Sequence, residues 1–240
     1  MPINRVPQVT ALFWILKLLT TGTGETASDF LVKTFDPVPV VLIAAAVFVA
    51  SFLLKISVGR YSTWRYWLFV LMVAVFGTMV ADVMHIALEV PYAISTMVFA
   101  ILLGVVFLLW WRVERTISIH SITSRRREIF YWSAVLVTFA LGTAFGDLTA
   151  VTLGLGYLAS GLIFAGLFVI PLTLTSLRIT EITTFWIAYA LTRPLGASFA
   201  DWIAVDGSRG GMGVGTGVVS LIGLAGIAAL ITGVQRRSTS

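Results

Sequence analysis

The sequence contains no cysteine, and only 11% of its 240 residues are charged. The absence of cysteine excludes disulfides, thiolate metal sites and cysteine nucleophiles. Soluble proteins average about 25% charged residues, so this chain has too few charges to cover the surface of a water-soluble domain. Hydrophobic residues make up 58% of the chain. The composition therefore predicts a protein whose main solvent is lipid.

Basic residues outnumber acidic ones, which gives a formal net charge of +5. A nucleic-acid-binding protein concentrates its bases on one face of a wettable domain. Here the sixteen Lys and Arg are scattered between apolar runs. We therefore expect membrane lipids as partners and no nucleic acid.

Eight apolar segments are long enough to cross a bilayer, which takes about 20 helical residues. They are Val9–Leu31, Val38–Leu54, Trp64–Leu88, Pro91–Trp111, Ile129–Val151, Gly156–Leu177, Ile182–Ile203 and Met212–Val234. These segments predict an all-α membrane protein with eight transmembrane helices, which form a single membrane domain over residues 1–240.

The positions of the bases predict the orientation of the chain. Twelve of them fall on one side of the eight segments: Arg5, Lys55, Arg60, Arg65, Arg112, Arg115, Arg125, Arg126, Arg127, Arg178, Arg236 and Arg237. Only Lys33 and Arg209 fall on the other side. Because cytoplasmic loops carry the excess of bases, both termini are predicted to be cytoplasmic. Five tryptophans near this boundary are expected to form an interfacial aromatic belt: Trp64, Trp67, Trp110, Trp111 and Trp132.

A pattern of the form [Phe/Tyr]-Trp-x9-Gly-x4-Asp occurs four times, once in each odd-numbered segment. Its members are Phe13-Trp14, Gly24 and Asp29; Tyr66-Trp67, Gly77 and Asp82; Tyr131-Trp132, Gly142 and Asp147; and Phe185-Trp186, Gly196 and Asp201. The pattern predicts four two-helix repeats, at about 9–60, 61–115, 126–178 and 180–235. All four would enter the membrane in the same direction, as parallel repeats with pseudo-symmetry about the membrane normal.

Three stretches that carry the pattern resemble a known family. They are Phe13-Trp-Ile-Leu-Lys-Leu-Leu-Thr-Thr-Gly-Thr-Gly-Glu-Thr-Ala-Ser-Asp29, Gly142-Thr-Ala-Phe-Gly-Asp147 and Leu191-Thr-Arg-Pro-Leu-Gly-Ala-Ser-Phe-Ala-Asp201. The family consists of bacterial proteins known as uncharacterised membrane-anchored proteins, which contain a repeat of unknown function. The resemblance covers essentially the whole chain and implies a bacterial inner-membrane protein. It implies no particular activity.

The repeated aspartates are predicted to lie at one depth in the membrane. Fifteen helical residues after each Trp correspond to about 22 Å, which reaches the outer third of a hydrocarbon layer about 30 Å thick. Glu25 lies one turn before Asp29. An acid that faces lipid costs about 2.5–3.5 kcal/mol on insertion scales, so we expect all five to face a central axis. Nearby polar side chains are Thr78, Thr143 and His85.

Two interpretations of these acids remain open. In the structural one, the only intramembrane bases, Lys17 and Arg193, neutralise acids of the first and last repeats, and the other aspartates cap helices or hold the bundle together. In the functional one, the five acids, the hydroxyls of Thr78 and Thr143, and His85 bind a cation or protons. Oxygen ligands suit Mg²⁺, Ca²⁺ and Mn²⁺. The candidate metal ligands are Glu25, Asp29, Asp82, Asp147 and Asp201.

The repeated glycines also allow two interpretations. Gly24, Gly77, Gly142 and Gly196 either let helices approach closely or interrupt helices so that carbonyls line a site. Pro194 favours an interruption in the last repeat because it removes a backbone donor.

The leading functional hypothesis is a proton-coupled secondary transporter of a small cation, such as the divalent metal Mn²⁺. The alternatives are a cation or proton channel, an exporter of small organic cations, and a membrane protein without transport activity. An intramembrane aspartyl enzyme is the less favoured alternative, because Ala144-Phe145-Gly146-Asp147 is not the Gly-x-Gly-Asp motif of such proteases. Neither a Ser–His pair nor a metalloprotease motif is visible, so we do not expect an enzyme. We expect no cofactor other than a bound divalent cation, and the sequence leaves open whether the chain forms a homo-oligomer.

Overall fold

The computed structural model describes residues 4–176 and 181–239, so Leu177 and Arg178 lie outside the described residues. In this part of the chain there are eight α-helices and no strand. The helices are α1 (Ala11–Thr34), α2 (Pro37–Ile56), α3 (Thr63–Asp82), α4 (Tyr92–Glu114), α5 (Arg125–Asp147), α6 (Gly156–Ser176), α7 (Glu181–Ala204) and α8 (Thr216–Thr239). The prediction of an all-α architecture is confirmed.

Within the described residues, six helical segments are long and apolar enough to cross a membrane by their length and composition. They are Pro37–Ile56, Thr63–His85, Tyr92–Glu114, Arg125–Thr152, Gly156–Leu174 and Thr216–Arg236, with mean hydropathies between 1.7 and 2.5. The chain is therefore a multi-pass membrane protein. The helices α1 and α7 are not in this set. Helix α1 carries Lys17, Glu25, Asp29 and Lys33, and α7 carries Glu181, Arg193 and Asp201.

Polar side chains define where several helices begin. The side chain of Thr10 accepts a hydrogen bond from the backbone N–H of Phe13 at the start of α1. Ser124 does the same for Arg127 at the start of α5. Such caps satisfy N–H groups that the first turn of a helix leaves without a partner.

The helices α1, α3, α5 and α7, here called the odd helices, form a closed ring in which each contacts the next and α7 contacts α1. The other four helices lie outside the ring. Helix α2 packs against α3, α4 against α5, α6 against α7, and α8 closes the arrangement against α1. Each outer helix thus packs chiefly against the odd helix of the following repeat.

The aromatic pairs of the four repeats meet at the N-terminal ends of the odd helices. This aromatic cluster consists of Phe13, Tyr66, Trp67, Tyr131, Trp132, Phe185, Trp186 and Tyr189, all of them buried. The ring centroid of Phe13 lies 5.7 Å from that of Trp67 and 6.1 Å from that of Phe185. Because these N-terminal ends come together, the odd helices run in the same direction.

The predicted interfacial belt is wrong for three of its five tryptophans. Trp67, Trp110 and Trp132 are almost completely buried, and only Trp64 and Trp111 are exposed. The three buried tryptophans pack against aromatic rings of neighbouring helices. This packing buries more of their own apolar surface than a position at the membrane interface would.

Buried ion pairs tie the N-terminal segment to this end of the ring. Glu128, in the first turn of α5, is fully buried and pairs with Arg5 at 2.8 Å and with Lys55 of α2. From the sequence, Lys55 is counted among the loop bases that orient the chain in the membrane. Its side chain is only 1% exposed. This base therefore also joins two helices.

Helices α3 and α5 continue beyond their repeated aspartates as one π-helical turn each, over Val83–Ala87 and Leu148–Thr152. The backbone N–H of Leu153 donates to the carbonyl of Leu148 at 2.9 Å, which is the five-residue spacing of a π-helix. Single π turns inside helices are rare and occur frequently at functional sites.

Candidate functional site

The C-terminal parts of the odd helices surround a cavity of about 480 Å³, here called the carboxylate cavity. Its lining includes all five predicted acids: Glu25, Asp29, Asp82, Asp147 and Asp201. Every repeat contributes its aspartate. The structure thus brings to one cavity the side chains that the repeat spacing predicted to lie at one depth in the membrane.

Arg193 lies beneath the carboxylate cavity, where it is absent from the lining but pairs with the lining residue Glu25. This position is here called the Arg193 floor, and the side chain links all four odd helices. Its Nη2 pairs with the carboxylate of Glu25 and donates to Thr78 Oγ1 at 2.7 Å. Its Nε donates to Thr143 Oγ1 at 3.0 Å. Thr78 Oγ1 also lies 3.0 Å from Glu25 Oε2. One guanidinium on α7 therefore contacts α1, α3 and α5.

Lys17 does not form the ion pair that the sequence suggested. Its side chain is completely buried, yet in residues 4–176 and 181–239 its Nζ has neither a hydrogen bond nor a carboxylate partner. Nζ lies 4.4 Å from the ring centroid of Phe139 and 4.5 Å from that of Tyr189. The physical reason is depth, since Lys17 precedes Glu25 by eight residues, or about 12 Å along the helix. The ammonium is held by ring faces instead.

His85 lies outside the lining of the carboxylate cavity, contrary to the expectation that it joins the acids. Its Nδ1 is 2.8 Å from the carbonyl of Val90, and its Nε2 is 3.5 Å from Ser95 Oγ. Its ring centroid lies 4.0 Å from that of Tyr92. The π turn that begins at Val83 changes the number of residues per turn. The spacing of three residues from Asp82 therefore no longer implies a shared face.

Three of the acids have no polar partner in the described part of the chain. The carboxylates of Asp82, Asp147 and Asp201 line the cavity without a hydrogen bond or an ion pair there. Asp201 is only 8% exposed, so this carboxylate is desolvated as well as unpartnered. Isolated charges in such surroundings are costly, which makes these groups strong attractors of a cation or a proton.

The mouth of the cavity carries two bases, one in the last turn of α1 and one in the connection between α7 and α8. Lys33, one turn after Asp29, pairs with it, and Arg209 Nη2 donates to Tyr157 Oη at 3.2 Å. Both bases are in the lining. From the sequence, Lys33 and Arg209 are interpreted only as charges on the outer side of the membrane. No local sequence pattern indicates that their side chains lie beside the cavity. Tyr157 and its counterpart Tyr92, each ten residues after a repeated aspartate, did carry a signal in their matching spacing.

The acidic side chains are spread around the lining of the cavity instead of converging on one point where a metal ion could bind. Among the described residues, no three His, Asp or Glu side chains come close enough together to hold a metal ion. The candidate ligand set Glu25, Asp29, Asp82, Asp147 and Asp201 therefore remains a sequence-based hypothesis.

Helix interruption is not the role of the glycines or of Pro194. Helix α1 is continuous through Gly24, and α7 is continuous through both Pro194 and Gly196. That interpretation of the sequence is wrong, because the neighbouring helices hold these segments in the α conformation.

Close packing accounts for three of the four repeated glycines. A Cβ atom on Gly142 would come within 2.6 Å of Arg193 Cβ, and one on Gly196 within 3.0 Å of Thr21 Cβ. A Cβ atom on Gly24 would overlap the side chain of Ala74. Gly77 differs, since its added Cβ would lie 3.6 Å from Phe139 in ordinary contact. The interface between α3 and α5 is thus looser at the glycine position than the other three interfaces.

Comparison with protein families gives one match. The family described as Repeat of Unknown Function (DUF347) matches this chain four times, at residues 12–61, 65–116, 130–178 and 184–239. These matches cover most of the chain and confirm the predicted four repeats. No curated protein and no solved structure matches the chain significantly.

Proposed function

We propose that this chain, which belongs to the DUF347 family of repeat proteins, is a secondary transporter that exchanges a small cation for protons. The observation that carries the proposal is the convergence of the repeated aspartates on one cavity, with Asp201 more than nine-tenths buried and unpartnered. A cation or a proton bound there relieves both the desolvation and the mutual repulsion of the acids.

The proposed topology has eight membrane spans, arranged as four parallel two-helix repeats with pseudo-symmetry about the membrane normal. The closed ring of odd helices, and the packing of each outer helix on the following odd helix, support this arrangement. Helices α1 and α7 would cross the membrane inside the ring, where their charges face the axis instead of lipid. The distribution of bases supports cytoplasmic termini in a bacterial inner membrane.

The charge balance of the cavity favours a positively charged cargo. Among the described residues, Lys33 and Arg209 lie in the lining with the five carboxylates, and Arg193 pairs with Glu25 from beneath the cavity, which gives three bases in all. Fully ionised, the acids exceed the bases by two. The carboxylates can hold protons when no cation is present, which provides the coupling that an exchanger needs.

Access from one side favours a transporter over an open channel. The cavity reaches the loops at the C-terminal ends of the odd helices. Towards the other end the axis passes the Arg193 floor, buried Lys17 and the aromatic cluster. A site that is open on one side and closed on the other is the arrangement that alternating access requires. The two halves of the ring would rock around it.

Flux measurements in proteoliposomes test the proposal. We expect an imposed pH gradient to drive cation accumulation, and Asp147→Asn and Asp201→Asn to abolish most of it. Glu181→Gln is the matched control, because Glu181 is an exposed acid outside the cavity that pairs with His120. Unchanged, pH-dependent flux in both Asn variants, or no flux of any cation by the wild-type protein, would contradict the proposal.

A further inference from the structure

The wall of the carboxylate cavity combines acids with apolar and aromatic surface. Between the acids lie aliphatic side chains such as Met79, Val83, Val151 and Val205, together with the tyrosines Tyr92 and Tyr157. A site for a bare inorganic ion needs oxygen ligands on several sides at about 2.0–2.6 Å. A wall of this mixed composition presents apolar surface to its ligand instead.

We infer that the preferred substrate is a small organic cation, with an ammonium-type group beside Asp201 and Asp147 and an apolar body against the valines and tyrosine rings. This inference rests on the proposed transport function and names the substrate class of the same site. It predicts that a metal such as Mn²⁺ is a poor substrate.

The size of the cavity supports this assignment. Its volume of about 480 Å³ falls within the range of about 300–1,000 Å³ that is typical of pockets for small organic ligands. The carboxylates are spread around this volume, and in the described part of the chain no three acidic or His side chains approach closely enough to hold a metal ion. An organic cation fills the space between separated carboxylates without bringing them together.

Two residues of the apolar wall occupy the same position in their repeats. Val151 and Val205 each lie four residues after a repeated aspartate, and Val83 directly follows another. Val83 and Val151 belong to the two π turns. The unusual backbone that follows Asp82 and Asp147 therefore places apolar side chains in the lining of the cavity.

Neighbouring side chains hold the two tyrosines in place. The ring of Tyr92 packs on His85, with centroids 4.0 Å apart, and Tyr157 Oη is held by Arg209 at 3.2 Å. A tyrosine face attracts a cation within about 6 Å of its centroid. The tyrosines can therefore stabilise an organic cation through both its charge and its apolar surface.

Asp201 is the expected anchor for the positive group. It is more than nine-tenths buried, lines the cavity and has no hydrogen bond or ion pair among the described residues. The attraction between a desolvated carboxylate and an ammonium-type cation is electrostatic and requires no N–H donor, so loss of the carboxylate is expected to weaken cation binding by about ten-fold or more.

The test compares benzyltrimethylammonium, tetramethylammonium and Mn²⁺ on the purified full-length protein. Binding is measured by calorimetry in detergent, and flux by a pH-sensitive dye inside proteoliposomes. We expect benzyltrimethylammonium to bind and to drive proton movement. We expect Asp201→Asn to weaken its binding by about ten-fold or more and Asp201→Glu to retain part of it. We expect Tyr92→Leu to weaken benzyltrimethylammonium more than tetramethylammonium, with Tyr61→Leu as a control outside the cavity.

The outcomes separate this inference from the transport proposal. Flux of Mn²⁺ without binding of either organic cation overturns the substrate class and leaves the transporter standing. Binding of benzyltrimethylammonium that depends on Asp201, but without flux, supports the organic-cation site and contradicts transport. Absence of both binding and flux overturns both. Size-exclusion profiles of the variants show whether a loss of binding reflects misfolding.

Discussion

Arg193 of α7 forms an ion pair with Glu25 of α1 at the point where the four odd helices meet. The same guanidinium donates to Thr78 of α3 and Thr143 of α5, so a single side chain joins all four repeats. Its planar, forked set of donors suits several acceptors at once, which an ammonium cannot reproduce. This contact gives a structural role to Arg193, the base that lies eight residues before Asp201 in the last repeat.

Arg193→Met is predicted to destabilise the protein strongly. The substitution leaves Glu25 buried with the Thr78 hydroxyl but without a basic partner, and breaking a buried pair by removing one member costs about 3–5 kcal/mol. The apparent melting temperature in detergent measures the loss. Arg193→Lys should recover little of it, whereas the double variant Arg193→Met with Glu25→Gln should recover more, because no uncompensated charge remains.

A surface pair provides the control for this prediction. Arg126 pairs with Glu114, but its side chain is 68% exposed, and exposed ion pairs contribute little to stability. Arg126→Met should therefore leave the melting temperature nearly unchanged. Equal losses in Arg126→Met and Arg193→Met would show that the central pair has no special weight.

Two glycines at the same position of the repeat should respond differently to alanine. Gly142→Ala brings a Cβ atom to 2.6 Å from Arg193 Cβ, so either α5 or α7 must shift and the floor of the cavity with it. Gly77→Ala meets only an ordinary contact at 3.6 Å from Phe139, and alanine favours a helix over glycine by about 1 kcal/mol. We expect a lower melting temperature for Gly142→Ala and an equal or higher one for Gly77→Ala. A similar loss in both variants would contradict the packing difference.

The sequence predicted the convergence of the acids because the repeat spacing is periodic. Residues at one offset in four parallel helices lie at one depth, and the cost of exposing acids to lipid turns them inward. Asp82, Asp147 and Asp201 could therefore be assigned to a shared site without a structure. The number and direction of the repeats follow from the same spacing.

The choice of partners could not be predicted from the same pattern. Lys17 and Arg193 are both intramembrane bases in the sequence and both side chains are buried inside the ring, but of the two only Arg193 reaches Glu25. The position of His85 depends on a π turn that the residue order does not indicate. These outcomes depend on the rotation and depth of packed helices, which emerge only when neighbours are in place.

Glu128→Gln is predicted to loosen the N-terminal ends of the helices. Glu128 is fully buried and pairs with both Arg5 and Lys55. The amide keeps its shape but leaves the buried ammonium of Lys55 without an anion, for which a loss of about 3–5 kcal/mol is typical. Limited proteolysis of the N-terminal segment and the melting temperature report the effect. The exposed Glu181→Gln serves as control, and an unchanged Glu128→Gln protein would show that the pairs are dispensable.

Lys17→Met is predicted to stabilise the protein. Lys17 is completely buried, without a carboxylate or a hydrogen bond for Nζ in the described part of the chain. The faces of Phe139 and Tyr189 compensate its charge, but cation–π contacts contribute about 2 kcal/mol when desolvated, less than the several kcal/mol that burial of an ion costs. Methionine has a similar length and no charge, so the melting temperature should rise. Lys33→Met at the exposed mouth is the control and should change little. A lower melting temperature for Lys17→Met would contradict this prediction. It would show that the ammonium stabilises the central acids from a distance, by more than the desolvation of the ammonium costs.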